Sequence, residues 1–238
     1  MIEGTGKGLR TMSRIELVVF DMAGTTIHDA DSVNRCLRDA LGAAGLAVTR
    51  AEVNSVMGIR KPDAIAILVE RSGRLDELGD RLEAIHRDFV ARSIDFFQGD
   101  PTVHEIPGAT RVFELLKREG IGVALNTGFD RKITDVILER LDWSGTPFID
   151  STISSDEVAR GRPYPDMILK LMGRMGVRDP QRVAKVGDTP ADLEEGRNAG
   201  CGLIIGVTRG THSREELERH PHTHLIETIA ELPDLLGL

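Results

Sequence analysis

The chain carries its chemically capable side chains in four short clusters: Asp21-Met-Ala-Gly-Thr25, Asn126-Thr-Gly128, Arg162-Pro-Tyr-Pro165 and Gly187-Asp-Thr-Pro-Ala-Asp192. Together they offer carboxylates, a hydroxyl, a guanidinium and glycine backbone N–H groups. That set suits phosphoryl transfer. Mg²⁺ takes oxygen ligands, typically one or two carboxylates with substrate phosphate and water, and Asp21 and Asp188 can supply the carboxylates. The metal would screen Asp21 from a dianionic substrate and let it attack phosphorus. The turn after Asp21 (Ala23, Gly24) and the N–H of Gly128 suit phosphate oxygens. Arg162 adds a charge that stays protonated. Taken singly each residue has an ordinary explanation: an aspartate after a strand is usually a turn residue, and Asp192 alone reads as a helix-start carboxylate.

These clusters need a scaffold that gathers them. Ile15–Phe20, Ile121–Leu125, Phe148–Ile153, Val183–Val186 and Leu203–Val207 are short apolar, β-branched runs, the pattern of buried parallel strands. Helical patterns lie between the later runs, at Ala109–Arg118, Arg131–Leu141, Pro165–Met175 and Pro190–Ala199. The alternation predicts an α/β fold, a Rossmann-like parallel sheet wrapped by helices. In such sheets the site lies at the carboxyl ends of the strands, where all four clusters fall. Thr189, Pro190 and Asp192 mark a capped helix start.

The gap between the first two strands contains helical spacing only: Val33, Leu37 and Leu41, then Ile65, Leu68 and Val69, then Leu82, Ile85 and Phe89. It predicts a helical cap of four helices inserted after the first strand. The expected division is a flexible tail over 1–13, a catalytic core over 14–29 and 101–238, and the cap over 30–100. Gly4-Thr-Gly-Lys7 has the flavour of a phosphate-binding loop but lacks the preceding strand and the full glycine spacing.

Composition narrows the function. A net charge of −8 with no basic concentration argues against a nucleic-acid partner. The first apolar run is six residues, too short for a membrane span. Two cysteines, Cys36 and Cys201, are not a disulfide framework, and a reducing cytoplasm fits best. The expected partner is a small phosphonate or phosphate ester, and a homodimer is compatible. His220-Pro-His-Thr-His224 has no supporting carboxylate or cysteine pattern and reads as a solvated loop. Trp143, Tyr164 and the phenylalanines read as core or pocket walls.

In order and wording the four clusters resemble the motifs of the haloacid dehalogenase superfamily across nearly the whole chain. The resemblance implies Asp21 as nucleophile, and Thr127 and Arg162 as phosphate ligands. It implies Asp188 and the backbone carbonyl of Ala23 as Mg²⁺ ligands, with Asp192 behind them. The insertion matches the superfamily's cap between the first two motifs. One departure is informative. Most phosphatases of the superfamily carry an acid–base aspartate two residues after the nucleophile; here that residue is Ala23. Such help is typically worth ~10²–10⁴-fold, so an ester phosphatase would lose much.

Asp-x-Ala-Gly-Thr, Gly-Arg-Pro-Tyr-Pro and Glu-Gly-Arg-Asn-Ala-Gly resemble the phosphonatase and phosphonatase-like branch. There a cap lysine after a Met-Gly pair forms a Schiff base with the substrate aldehyde, so that the carbon–phosphorus bond can break. Met57-Gly-Ile-Arg-Lys61 places Lys61 at that position. Burial would lower its pKa, and the charge of Arg60 would help if the two side chains converge. The chain departs from the branch at Ala64 (a histidine there), Phe129 (a tyrosine) and Asp31 (a cysteine). The expected activity is carbon–phosphorus cleavage of phosphonoacetaldehyde or a close 2-oxoalkylphosphonate. The alternative is a phosphatase for a sugar or cyclitol phosphate, with Lys61 gripping a distal part of the substrate.

Overall fold

A computed structural model describes residues 14–238. The expected tail and the Gly4–Lys7 segment lie outside the described residues. The elements run in chain order as β1 (Leu17–Phe20), α1 (Ser32–Ala43), α2 (Arg50–Asn54), α3 (Lys61–Arg71), α4 (Leu75–Leu78), α5 (Leu82–Gly99), α6 (Ala109–Arg118), β2 (Gly122–Thr127), α7 (Arg131–Arg140), β3 (Ser151–Ser154), α8 (Asp166–Met175), β4 (Val183–Gly187), α9 (Pro190–Ala199), β5 (Leu203–Val207), α10 (Arg214–Leu217), β6 (His224–Ile226) and α11 (Leu232–Leu236).

All six strands are parallel, in the order β3-β2-β1-β4-β5-β6. This is the doubly wound order, and its direction reverses beside β1. Alternate residues of β1 serve opposite faces. Leu17 and Val19 join Met167, Ile168, Leu171 and Leu193 on one side. Val18 and Phe20 join Phe113, Leu116 and Ile133 on the other. Both faces are covered, which is why β1 is apolar at every position.

Helices α1 to α5 all fall between β1 and β2. Three are long and two are short, against the four expected: Gly45, Gly58 and Gly73 adopt positive φ and divide the run into four, and a tight turn at Gly79–Arg81 divides the last piece again. Within this insertion α5 packs on α1 and α3, and it also packs on α7 beside the sheet. Phe97 of α5 meets Phe129, just after β2, edge to face at 5.7 Å. The two connecting segments pair with each other: His28 N–H donates to the His104 carbonyl at 3.0 Å and Ile106 N–H to that of Thr26 at 2.8 Å.

Three further sequence expectations differ from the structure. The third strand begins at Ser151 rather than Phe148, because Asp150 turns its carboxylate onto the Val123 N–H at 2.8 Å and occupies the ladder position. The sixth strand was not expected. It is three residues on the sheet edge, paired only to β5, and it starts at His224 within the segment read as a loop. Tyr164 is neither core nor pocket wall: it is exposed, with the Arg160 guanidinium stacked 4.4 Å from its ring.

Candidate active site

A narrow cleft opens above the carboxyl ends of β1, β2 and β4. It is lined by Asp21, Ala23, Lys61, Thr127, Gly128 and Arg162, with Val33, Met57, Gly58, Phe129, Thr189 and Thr211. Six residues singled out from the sequence thus converge on one space. Gly24, Asp188 and Asp192 lie immediately behind it. Gly24 adopts φ +89°, and a Cβ there would sit 2.3 Å from Asp188 Oδ2. Glycine is required both for that backbone conformation and for the close approach.

The floor is a buried charge network. Arg162 Nη1 donates to Asp21 Oδ1 at 2.7 Å, and Asp192 Oδ1 lies 3.2 Å away. Asp192 Oδ1 also meets Lys185 Nζ at 2.8 Å. Its other oxygen takes the Thr189 hydroxyl at 2.5 Å and closes the capping box of α9. The helix-start and charged readings of Asp192 therefore hold together, one on each oxygen. Arg162 and Lys185 hold its carboxyl below the usual range despite burial. Burial works against the charge of Arg162, but Asp192, Asp21 and Glu195 raise its pKa above its ordinary value.

Asp21 and Asp188 behave oppositely. Burial, then repulsion from Asp192, pushes Asp21 up to about 6. Burial, then repulsion from Asp21 and Asp192, pushes Asp188 up to about 7. Asp188 is oriented by the Thr25 hydroxyl at 2.9 Å and the Thr211 N–H at 2.6 Å. Carboxylate oxygens of Asp21, Asp188 and Asp192 lie within 4.8 Å of one another. Four buried carboxylates, Asp21, Asp188, Asp192 and Glu195, face two buried cations in this floor, Arg162 and Lys185. Fully ionised, they leave an excess of two negative charges, which one divalent cation would neutralise. Because Asp192 is occupied by Arg162, Lys185 and Thr189, Asp21 and Asp188 are the donors that fit such an ion. The Ala23 carbonyl is not used by the hydrogen bonds of its own turn, which run to Met22 and Ile27.

The roof comes from the insertion. Lys61, at the start of α3, is 3% exposed. Its Nζ donates to the Ile59 carbonyl at 3.2 Å and sits 5.4 Å from the Phe129 ring centroid. Burial brings its pKa down to about 8; Asp21 opposes the shift and Arg162 adds to it. Arg60 is not among the groups acting on it. Its stem packs over Gly161 and its guanidinium turns to Asp63, 3.9 Å away. The rest of the roof is apolar: Val33 and Met57 from the insertion, joined by Phe129 from just after β2. Of the residues lining the cleft, Asp21 alone is a carboxylate. Among the described residues nothing acidic lines the cleft in place of the side chain missing at Ala23.

Roof and floor meet through bare backbone. A Cβ on Gly128 would lie 2.7 Å from the Ile59 carbonyl oxygen and 2.9 Å from that of Gly58. One on Gly58, at φ +80°, would lie 2.2 Å from Thr189 Oγ1. Thr127 Oγ1 accepts the Phe129 N–H at 3.2 Å, which leaves its own proton free to donate.

Other sequence candidates stand apart. Ala64 is buried in α3. Asp31 pairs with Arg38 at 3.1 Å and Arg50 at 2.6 Å, outside the cleft. His222 and His224 bond to their own neighbours, His220 and Thr223. Sequence reasoning missed Lys185 and Glu195. Both had a signal: a lysine inside the otherwise apolar β4 demands a buried partner, and Glu195 follows Asp192 by three residues, on the same face of α9.

A family model for haloacid dehalogenase-like hydrolases matches residues 15–200. Phosphonoacetaldehyde hydrolase of Bordetella avium is 30% identical, over 94% of this chain and 90% of that protein. The Bacillus cereus enzyme of the same name is also 30% identical, over 91% and 86%. The fold is similar to a phosphonoacetaldehyde hydrolase-like protein from Oleispira antarctica, with TM-score 0.80 and 23% identity over 100% of this chain and 95% of that one. A hydrolase from Pseudomonas syringae aligns with TM-score 0.83 at 18% identity, over 93% and 98%.

Proposed function

The chain belongs to the haloacid dehalogenase-like hydrolases, and we propose that within that family it cleaves the carbon–phosphorus bond of phosphonoacetaldehyde or a close 2-oxoalkylphosphonate. In this reading residues 14–29 and 101–238 are the catalytic core and 30–100 the cap. The observation that carries it is Lys61. A lysine this deeply buried, with its pKa down to about 8, shares a cleft with the candidate nucleophile Asp21. An ordinary lysine is almost wholly protonated at neutral pH, with a pKa near ~10.4, and cannot attack a carbonyl. A desolvated one can. The apolar remainder of the roof supports a short substrate rather than a polyhydroxylated sugar.

The neutral Lys61 amine adds to the aldehyde carbon, and loss of water leaves an iminium. The phosphonate oxygens meet Arg162 Nη1, the Thr127 hydroxyl and the Gly128 N–H, whereas the Gly24 N–H, expected from the sequence to bind phosphate, is taken by the Ile27 carbonyl at 2.9 Å. Asp21 attacks phosphorus, and the carbon–phosphorus bonding pair moves toward the iminium nitrogen as an enamine. No alkoxide departs, so the leaving group needs no acid at position 23. Protonation at carbon and hydrolysis of the iminium release acetaldehyde and restore Lys61. Water then cleaves the aspartyl phosphate to inorganic phosphate. A Mg²⁺ ion held by Asp21, Asp188 and the Ala23 carbonyl would screen the carboxylate from the phosphonate dianion.

Borohydride added during turnover tests this. It should reduce the iminium and leave a stable adduct on Lys61, read by peptide mass spectrometry. Lys61→Arg should lose both adduct and cleavage. No adduct, with near-normal phosphate release by the arginine variant, would sink the Schiff base and leave a capped phosphatase.

A further inference from the structure

Arg162 is the one guanidinium lining the cleft, and its orientation is set from behind. Only Nη1 faces Asp21, at 2.7 Å, with the Gly58 carbonyl at 3.4 Å. Nη2 donates to the Asn126 carbonyl at 2.9 Å and to Asn126 Oδ1 at 2.6 Å. Nε donates to Glu195 Oε2 at 3.0 Å. Every edge of the fork is engaged, so its plane cannot turn without breaking buried bonds.

The polarity of this arrangement is forced. Asn126 Oδ1 also accepts from Lys185 Nζ at 2.7 Å, so the amide oxygen must face the two cations. Its nitrogen must then face Glu195, and it donates to Oε1 at 3.0 Å and Oε2 at 2.9 Å. Glu195 therefore has to accept on both oxygens, and its side chain is fully buried. The next residue helps: a Cβ on Gly196 would lie 3.0 Å from Lys185 Cβ, so the lysine stem lies against bare backbone.

We propose that Glu195 is a positioning residue, which through Arg162 Nε and the Asn126 amide fixes the guanidinium so that Nη1 meets a phosphoryl oxygen as Asp21 attacks. This rests on reading Asp21 and Arg162 as phosphoryl-transfer groups, and not on the nature of the leaving group. Glutamine is not a neutral replacement here. With its oxygen kept on Arg162 Nε, its NH₂ would take the place of Oε1, 3.0 Å from the Asn126 NH₂, so that two buried donors confront one another and the amide keeps one acceptor where it had two. Reversing both partners repairs the pattern. In Asn126→Asp/Glu195→Gln the new carboxylate accepts from Arg162, Lys185 and the glutamine NH₂ in the place of Oε1, and the glutamine oxygen still accepts from Arg162 Nε once it turns off the 2.9 Å contact that Oε2 makes with the Asn126 nitrogen. The total charge of the network is unchanged.

The test compares Glu195→Gln with the double variant, using thermal melts, crystal structures and calorimetric binding of inorganic phosphate in the presence of Mg²⁺. Glu195→Gln should bind phosphate at least roughly tenfold more weakly, the scale of losing an orienting partner, with its guanidinium turned off Asp21. The double variant should return the guanidinium and bring binding to within about threefold of wild type, since only paired, complementary changes show such coupling. Wild-type binding by Glu195→Gln overturns the proposal, and so does a loss that the double variant leaves unrepaired. If Glu195→Gln does not fold, the double variant decides alone: recovered binding supports the role and lost binding overturns it. Wild-type protein that binds no phosphate would fail the phosphoryl-transfer reading instead. The crystallographic position of the guanidinium would then decide between a clamp that turns and one that stays.

Discussion

The floor and the roof of the cleft are built on opposite principles. The floor is a lattice of charge: Asp21, Asp188, Asp192, Glu195, Arg162 and Lys185 are all buried and nearly all cross-linked. The roof holds one ionisable side chain, Lys61, among Val33, Met57 and Phe129. In the floor, charges stabilise one another, so that Arg162 and Asp192 stay ionised despite burial. In the roof, desolvation wins, and Lys61 is pushed toward its neutral form. A preorganised charged floor suits a group whose negative charge must be held. An apolar roof with one neutral amine suits a carbonyl. On the proposed reading, reaction type follows from the floor and substrate choice from the roof.

The largest break in this contrast should come from the floor. Asp21→Asn keeps shape but removes both the proposed nucleophile and a charged oxygen. Phosphate release should fall below about 1% of wild type. Activity above that level would remove Asp21 as the attacking group, whatever the substrate. Chelation should act in the same direction, with Mg²⁺ restoring turnover.

Severing the seam between the two regions should cost less. Gly128→Ala drives a methyl group against the Gly58 and Ile59 carbonyls, and Lys61 hangs on one of these. A displacement of about 1 Å costs roughly 10²-fold in a positioned reaction. The loss should appear in kcat, with the melting temperature little changed. Equal kcat in the alanine variant would mean that roof and floor need not be in register.

The smallest effect, and the sharpest contrast, lies in pH. Lys61 must be neutral to attack, and its folded pKa is lowered to about 8. The neutral fraction falls as pH drops through that value, so kcat/KM should decline roughly tenfold per unit below it. Mg²⁺-dependent phosphate binding uses the floor alone, so its acidic limb should begin lower, where Asp188 at about 7 and Asp21 at about 6 take up protons. A limb at the same pH in both measurements would place the titrating group in the floor and remove Lys61 as its source.

Much of this was legible in the residues. Strands β1, β2, β4 and β5 were visible because both sheet faces are covered and nearly every position is apolar, Lys185 of β4 and the polar end of β2 excepted. The convergence of Asp21, Thr127, Arg162 and Asp188 followed from a rule about where parallel strands end. Lys61 was singled out by its place after Met57-Gly58. Less visible were features carried by a single contact. The start of β3 depends on which group reaches the Val123 N–H. β6 is held at the edge by β5 and has no periodicity of its own. Lys185 was passed over as one residue of a strand.

What the sequence determined by itself is the order of elements and the inventory of chemical groups, because apolar periodicity and turn residues act over neighbouring positions. Which groups share a charge was decided only in three dimensions. Arg162 is paired with Asp21, 141 positions away, and with Glu195, 33 away. Glu195 in turn holds Asn126, 69 positions from it. Arg60 and Lys61 are chain neighbours, yet one turns to Asp63 and the other into the cleft. Local spacing carries no information about such partners. A buried charge is tolerated only where the complete fold supplies its counter-charge, and the shift it undergoes depends on solvent excluded by elements that meet only when the insertion folds over the sheet.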